Sequence, residues 1–111
     1  QICLALPAVT EVLAHGEATF RVNRRMFVTF ASAHNHHGAG RPAIWVKATH
    51  ADQAALLAAA PERFFVPPYV GPSGWVGMWL DRRVSWRTVA SVLEEGWRQA
   101  SAAGRKAARS R

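Results

Sequence analysis

The sequence predicts an α+β two-layer sandwich: an antiparallel five-stranded sheet with helices on one face, in the order α-β-β-β-α-β-β-α. Three observations predict it. Apolar and polar residues alternate in short runs such as Phe20-Arg21-Val22 and Ile44-Trp45-Val46-Lys47, the two-residue period of strands. The links between consecutive runs are short, which pairs neighbouring strands antiparallel. From Trp86 to Trp97 the apolar spacing changes to three and four residues, the period of a helix with one buried face.

Each element follows in order. "QICLALPAV" reads as the last turns of a helix, ended by Pro7, because proline removes a backbone donor and clashes with the preceding turn. "TEVLAHGEA" reads as a loop around Gly16. "TFRVNRRMFVTFASA" reads as a hairpin: Phe20 and Val22 share one side of its first arm, and Met26, Val28 and Phe30 share one side of its second. Asn23-Arg24-Arg25 is the turn between them. "HNHHGAGRP" is a second loop, and "AIWVKA" a third strand, with Ile44 and Val46 on one side and Trp45 and Lys47 on the other. Thr49 opens a helix as its N-cap, with Asp52 three residues on. The alanine-rich "ADQAALLAAA" continues that helix. "RFFVPPYV" is an edge strand, because Pro67-Pro68 cannot donate to a central ladder. "GWVGMWLD" is the last strand, placing Trp75, Gly77 and Trp79 opposite Val76, Met78 and Leu80. Ser85 caps a long helix whose core stripe is Trp86, Val89, Leu93 and Trp97. "SAAGRKAARSR" reads as a fraying end.

With 111 residues, the chain is read as a single domain over residues 1–100, followed by a basic tail, 101–111. One cysteine, Cys3 in an apolar run, excludes an internal disulfide and fits a reducing, cytoplasmic compartment. No apolar stretch reaches the roughly 20 residues that span a bilayer, so no membrane partner is expected. The net charge is +7, from 14 Lys+Arg against 7 Asp+Glu. Arg98, Arg105, Lys106, Arg109 and Arg111 all follow the last acidic residue, Glu95, which leaves residues 1–97 with nine basic and seven acidic side chains. Such a tail seeks polyanions.

Three glycines at regular spacing, Gly71, Gly74 and Gly77 in "PPYVGPSGWVGMW", raise the question of a phosphate loop. A phosphate loop places its glycines between a strand and a helix, whose N-terminal amides face the anion. These lead into and through a strand, and no Lys-Ser/Thr follows. The nucleotide reading is rejected. Gly71-Pro72 turns the chain, Gly74 lets it reverse, and Gly77 leaves room on the sheet for a helix or an aromatic ring.

The segments "CLALPAVTEVLAHG", "ATFRVNRRMFV", "WVKA", "VPPYVGPSGWVGMWLD" and "VSWRTVASVLEEGWRQA" resemble, in order and from Cys3 to about Ala100, the MmcQ/YjbR family of small bacterial proteins. The last helix departs from a frequent Ser-Tyr-Arg-like stretch, which here is Gly96-Trp97-Arg98. The resemblance implies a sandwich of the bacterial frataxin (CyaY-like) and secretion-chaperone type. It also implies the DNA-binding label that family members carry through fold similarity to a double-wing DNA-binding domain. Some relatives carry a formyltransferase-like name, and no residues here support it.

The candidate nucleic-acid contacts are Arg21, Arg24, Arg25, Arg41, Lys47, Arg82 and Arg83: arginine pairs at turns, with Lys47 on the open sheet face. Trp45, Lys47, Tyr69 and Trp75 outline a shallow groove on that face. His34, His36 and His37 lack a neighbouring Cys, Asp or Glu to orient them, so no metal and no cofactor is assigned. Glu94-Glu95 point in different directions on a helix, and Ser73 and Ser85 have no histidine partner by motif, so no catalytic residue is assigned. The function expected is therefore non-enzymatic DNA binding through the basic turns and the open sheet face. The alternatives are a protein partner docked on that face, as in secretion chaperones, or a small-ligand module.

Overall fold

The computed structural model describes Leu6, residues 8–14, 17–22, 24–31 and 42–80, and the backbone of 85–109 with side chains to Ser101. Among these residues the order is β1 (Val9–Ala14), β2 (Glu17–Val22), β3 (Arg25–Ala31), β4 (Ala43–Val46), α1 (His50–Ala59), β5 (Phe64–Phe65), β6 (Val76–Trp79) and α2 (Trp86–Arg109). The expected α+β class and antiparallel sheet are present. The sheet has six strands rather than five, in the order β1-β2-β3-β4-β6-β5.

The sixth strand is β1, where the sequence reads as a loop. It pairs with β2 along its whole length, from Val9 opposite Val22 to Ala14 opposite Glu17. Its side chains explain why alternation does not reveal it. Leu13 is 75% exposed and Val12 41%, so β1 is held by its ladder to β2 more than by a buried face. The helix expected over "QICLALPAV" falls largely outside the described residues, as does the 32–41 loop.

The β2–β3 hairpin departs from strict alternation. Phe20 faces Val28, but the next pair is Arg21 with Met26, which leaves Phe27 as an extra residue in a bulge. A bulge sets two residues of one strand against one of its partner. Phe27 and Val28 therefore both enter the core beneath the helices, 0% and 1% exposed. Met26 packs instead with the cluster on the opposite face, which corrects the shared side expected for Met26, Val28 and Phe30. The ladder closes at Val22 opposite Arg25. Arg25 thus belongs to the strand, and the turn is two residues rather than three.

Both helices pack on one face. Ile44, Val46, Val76 and Met78 form the floor there, Val89, Leu93 and Ala100 of α2 cover it, and Leu56 and Leu57 of α1 pack at its side. Thr49 caps α1 as expected, its hydroxyl accepting from the Asp52 amide at 3.1 Å. Ser85 Oγ accepts from the Thr88 amide at 3.3 Å at the start of α2. Trp86 is 63% exposed and leaves the stripe that Val89, Leu93 and Trp97 maintain. Ala100 and Ser101 are buried, and the α2 backbone continues to Arg109. The alanines, arginines and lysine of that stretch are strong helix formers.

The opposite face carries the aromatic residues. Trp45 lies across from Gly77, and Gly77 across from Phe65. A Cβ on Gly77 would coincide with the Phe65 ring. Glycine lets that ring lie flat over the strand and stack on Trp79, with centroids 4.1 Å apart. The edge strand β5 is only two residues long, ended before Pro67-Pro68 as expected.

Candidate functional site

The glycine-rich turn is a seat for helix α1. A 3₁₀ turn spans Gly71–Ser73, and Gly74 ends it at φ +96°. A side chain at 74 would stand 2.9 Å from the His50 amide nitrogen and 3.1 Å from the Ala48 carbonyl oxygen. The start of α1 fills that space. Gln53 donates from Nε2 to the carbonyls of Gly71 at 3.0 Å and Trp75 at 2.6 Å. His50 Nε2 lies 2.8 Å from the Pro72 carbonyl oxygen. The carbonyls of this turn face the helix as acceptors, an arrangement that repels phosphate.

Seated this way, α1 stands beside α2 with a cleft of about 350 Å³ between them. Ala48, Ala55, Leu56, Val76 and Val92 form its apolar lining, and Lys47, Asp52, Ser91 and Glu95 its polar lining. The expected groove of Trp45, Lys47, Tyr69 and Trp75 is not assembled. Trp45 and Trp75 share a buried cluster, 8% and 6% exposed, on the sheet face away from the helices. Tyr69 stands 76% exposed in a turn at φ +67°. Lys47 lines the cleft on the helix side, because β4 ends at Val46 and strand alternation stops there.

Nothing in the sequence singles out Asp52, Ser91 or Glu95 as site residues. Asp52 reads as part of a cap and Glu95 as a surface acid. They come from two helices whose approach depends on the Gly71–Trp75 turn, so no sequence spacing joins them.

The basic candidates divide. Arg24 and Arg25 are exposed at the hairpin tip, Arg24 at φ +65°. Neither forms an ion pair among the described residues. Arg21 is half-buried in the ladder opposite Thr10 and Met26. Its Nε is buried without a hydrogen-bond partner among the described residues. Arg41, Arg82 and Arg83 lie outside the described residues, as do His34, His36 and His37. Among the described residues, no three His, Cys, Asp or Glu side chains are grouped to hold a metal. Among the described residues no helix is long and apolar enough to cross a membrane. Glu94 and Glu95 engage Arg98, at 2.9 and 3.7 Å.

A six-stranded antiparallel sheet, covered on one face by two helices with a cleft between them, defines a small α+β domain. The YjbR family model matches residues 4–99, and the chain belongs to that family. Among solved structures it is similar to the crystal structure of Deinococcus radiodurans protein DR2400, which carries a DUF419 domain. The TM-score is 0.69, over 86% of this chain and 70% of that one, at 18% identity. At that identity the likeness shows the fold. No curated protein matches the chain.

Proposed function

We propose that this YjbR-family domain binds DNA through the arginine tip of the β2–β3 hairpin, with the basic end of α2 as a second contact. The observation that carries the reading is the exposure of Arg24 in the turn and of Arg25 beside it at the start of β3, with no acidic partner among the described residues. Guanidinium groups without ion pairs are available for bidentate contact with phosphate oxygens.

The course of α2 supports the reading. At Gly96 the helix lies against the Phe27 and Lys47 carbonyls, which is the end of the sheet that carries the hairpin tip. From there it continues through Arg98 to Arg105, Lys106 and Arg109. Positions 98, 105 and 109 fall within about 40° of one another around a regular helix. Arg98 is held by Glu94 and Glu95, so the outer three residues contribute most.

The role proposed is binding rather than catalysis: Ser85 caps α2, and Glu94 and Glu95 hold Arg98. A protein adaptor docking on the sheet tryptophans has less support, since Trp45 and Trp75 are buried.

Fluorescence anisotropy with a labelled duplex and a labelled single strand, across a salt series, tests the proposal. The full chain is compared with R24A/R25A and with R105Q/K106Q/R109Q. Affinity is expected to fall linearly on a log–log plot, and each lost duplex phosphate contact to reduce the slope by about 0.9. Unchanged binding by R24A/R25A would remove the hairpin from the interface. Absence of binding at low salt would overturn the reading altogether.

A further inference from the structure

We propose that the cleft between α1 and α2 is a binding site for a zwitterionic amino acid with a large apolar side chain. The site is separate from the hairpin tip, and the inference stands independently of DNA binding.

The cleft holds about 350 Å³, within the range of roughly 300–1,000 Å³ typical of small-ligand sites. Three of its four polar side chains, Lys47, Asp52 and Ser91, are unused among the described residues, and the fourth, Glu95, lies 3.7 Å from Arg98. The Lys47 side chain makes no hydrogen bond or ion pair with any described residue, and Lys47 is bonded only through its backbone amide, to the Phe27 carbonyl oxygen. The Asp52 carboxylate is likewise unengaged, its residue bonded to Thr49 through the backbone amide. The Ser91 hydroxyl has no partner among the described residues either. Lys47 and Asp52 are both half-buried and line the same cleft, yet they form no ion pair with each other. A polar group partly withdrawn from water without a partner carries a desolvation cost that a complementary ligand recovers.

The charge pattern selects the ligand. The lining carries one ammonium, on Lys47, and two carboxylates, on Asp52 and Glu95. A phosphate or other pure anion would meet two like charges. A divalent cation would meet the ammonium and only two acidic residues. A molecule carrying both charges satisfies the set: its carboxylate takes Lys47, and its ammonium takes Asp52, the carboxylate with no ion pair among the described residues. The same lining includes Leu56, Val76 and Val92, which bury an apolar side chain and turn away a polar one.

The probe is L-phenylalanine, titrated into the ¹⁵N-labelled full chain and followed by amide chemical shifts. Saturable shifts are expected at Lys47, Asp52, Ser91 and Val92, with a Kd of about 1 mM or tighter. Phenethylamine lacks the carboxylate and hydrocinnamate lacks the ammonium. Each is expected to bind at least about tenfold more weakly, since a hydrogen bond to a charged group contributes about 1.5–3 kcal/mol. K47M and D52N should each weaken phenylalanine to a similar extent while keeping the dispersed spectrum of the parent. Should K47M fail to fold, D52N and the two single-charge analogues still decide the question. No saturable shift, shifts confined to residues outside the cleft, or equal binding by either analogue would overturn the proposal.

Discussion

Helix α2 meets the sheet closely at Gly96, and replacing that glycine by alanine measures how close the contact is. A methyl group there would stand 2.6 Å from Val46 Cγ1, 3.1 Å from the Lys47 carbonyl oxygen and 3.4 Å from the Phe27 carbonyl oxygen. Two effects oppose each other. Alanine is a better helix former than glycine by about 1 kcal/mol. Overpacking a tight contact costs about 1–3 kcal/mol. The upper half of that range applies here, because two of the three neighbours are backbone atoms. They are tied down by the 2.8 Å bond from the Lys47 amide to the Phe27 carbonyl. The net expectation is a loss of about 1 kcal/mol or more, or about 5 °C in Tm for a domain of this size. Urea unfolding followed by tryptophan fluorescence reads it. Ser91, exposed on the same helix, supplies the calibration: S91A should exceed S91G in stability by about 1 kcal/mol. If G96A gains what the Ser91 pair gains, position 96 is an ordinary exposed helix site and the close approach of α2 is refuted.

Three further outcomes follow from the same geometry. T49A removes the hydroxyl that accepts the Asp52 amide and should cost about 1 kcal/mol in chemical denaturation. G77A drives a methyl group into the Phe65 ring and should cost about 1–3 kcal/mol. In the double variant G77A/F65A the two losses should be less than additive, and full additivity would separate the glycine from the ring. R24G relieves a left-handed residue at a strain of about 1–2 kcal/mol, partly offset by glycine's entropy cost of about 0.5–1 kcal/mol. It should therefore raise the unfolding midpoint slightly while weakening DNA binding in the anisotropy assay, and a parallel fall in both would tie the arginine to stability instead.

Much of the frame is legible in the sequence because local chemistry and tertiary structure agree. Thr49 is a capping residue in a capping position, and Pro67-Pro68 stop a strand that the fold also needs to stop. Gly77 reads as space on the sheet, and the Phe65 ring occupies it. The misreadings have a common cause: they are places where alternation is interrupted or unnecessary. β1 is an edge whose side chains from Thr10 to Leu13 stay exposed, so it shows little amphipathic signal. Lys47 follows the last residue of β4, so the parity of Ile44 and Val46 does not extend to it. Met26 changes faces because Phe27 is inserted beside it. The cleft is illegible for another reason. Its polar groups come from one strand end and two helices, and only the turn seated under His50 and Gln53 brings them together.

The hairpin between residues 20 and 28 holds one residue more than its ladder can pair, and that surplus must be stored somewhere. It is stored at Phe27, whose side chain is fully buried. The other place to store it is the turn, which would grow to three residues, return Met26 to the helix side and put Phe27 on the other face. Burial of one phenylalanine ring therefore decides between two ways of counting the same residues. The position of Arg24 and Arg25 at the tip follows from that count. A polar substitution at Phe27 removes the reason for storing the surplus there, so the presentation of the tip arginines is controlled by a residue that never reaches the surface.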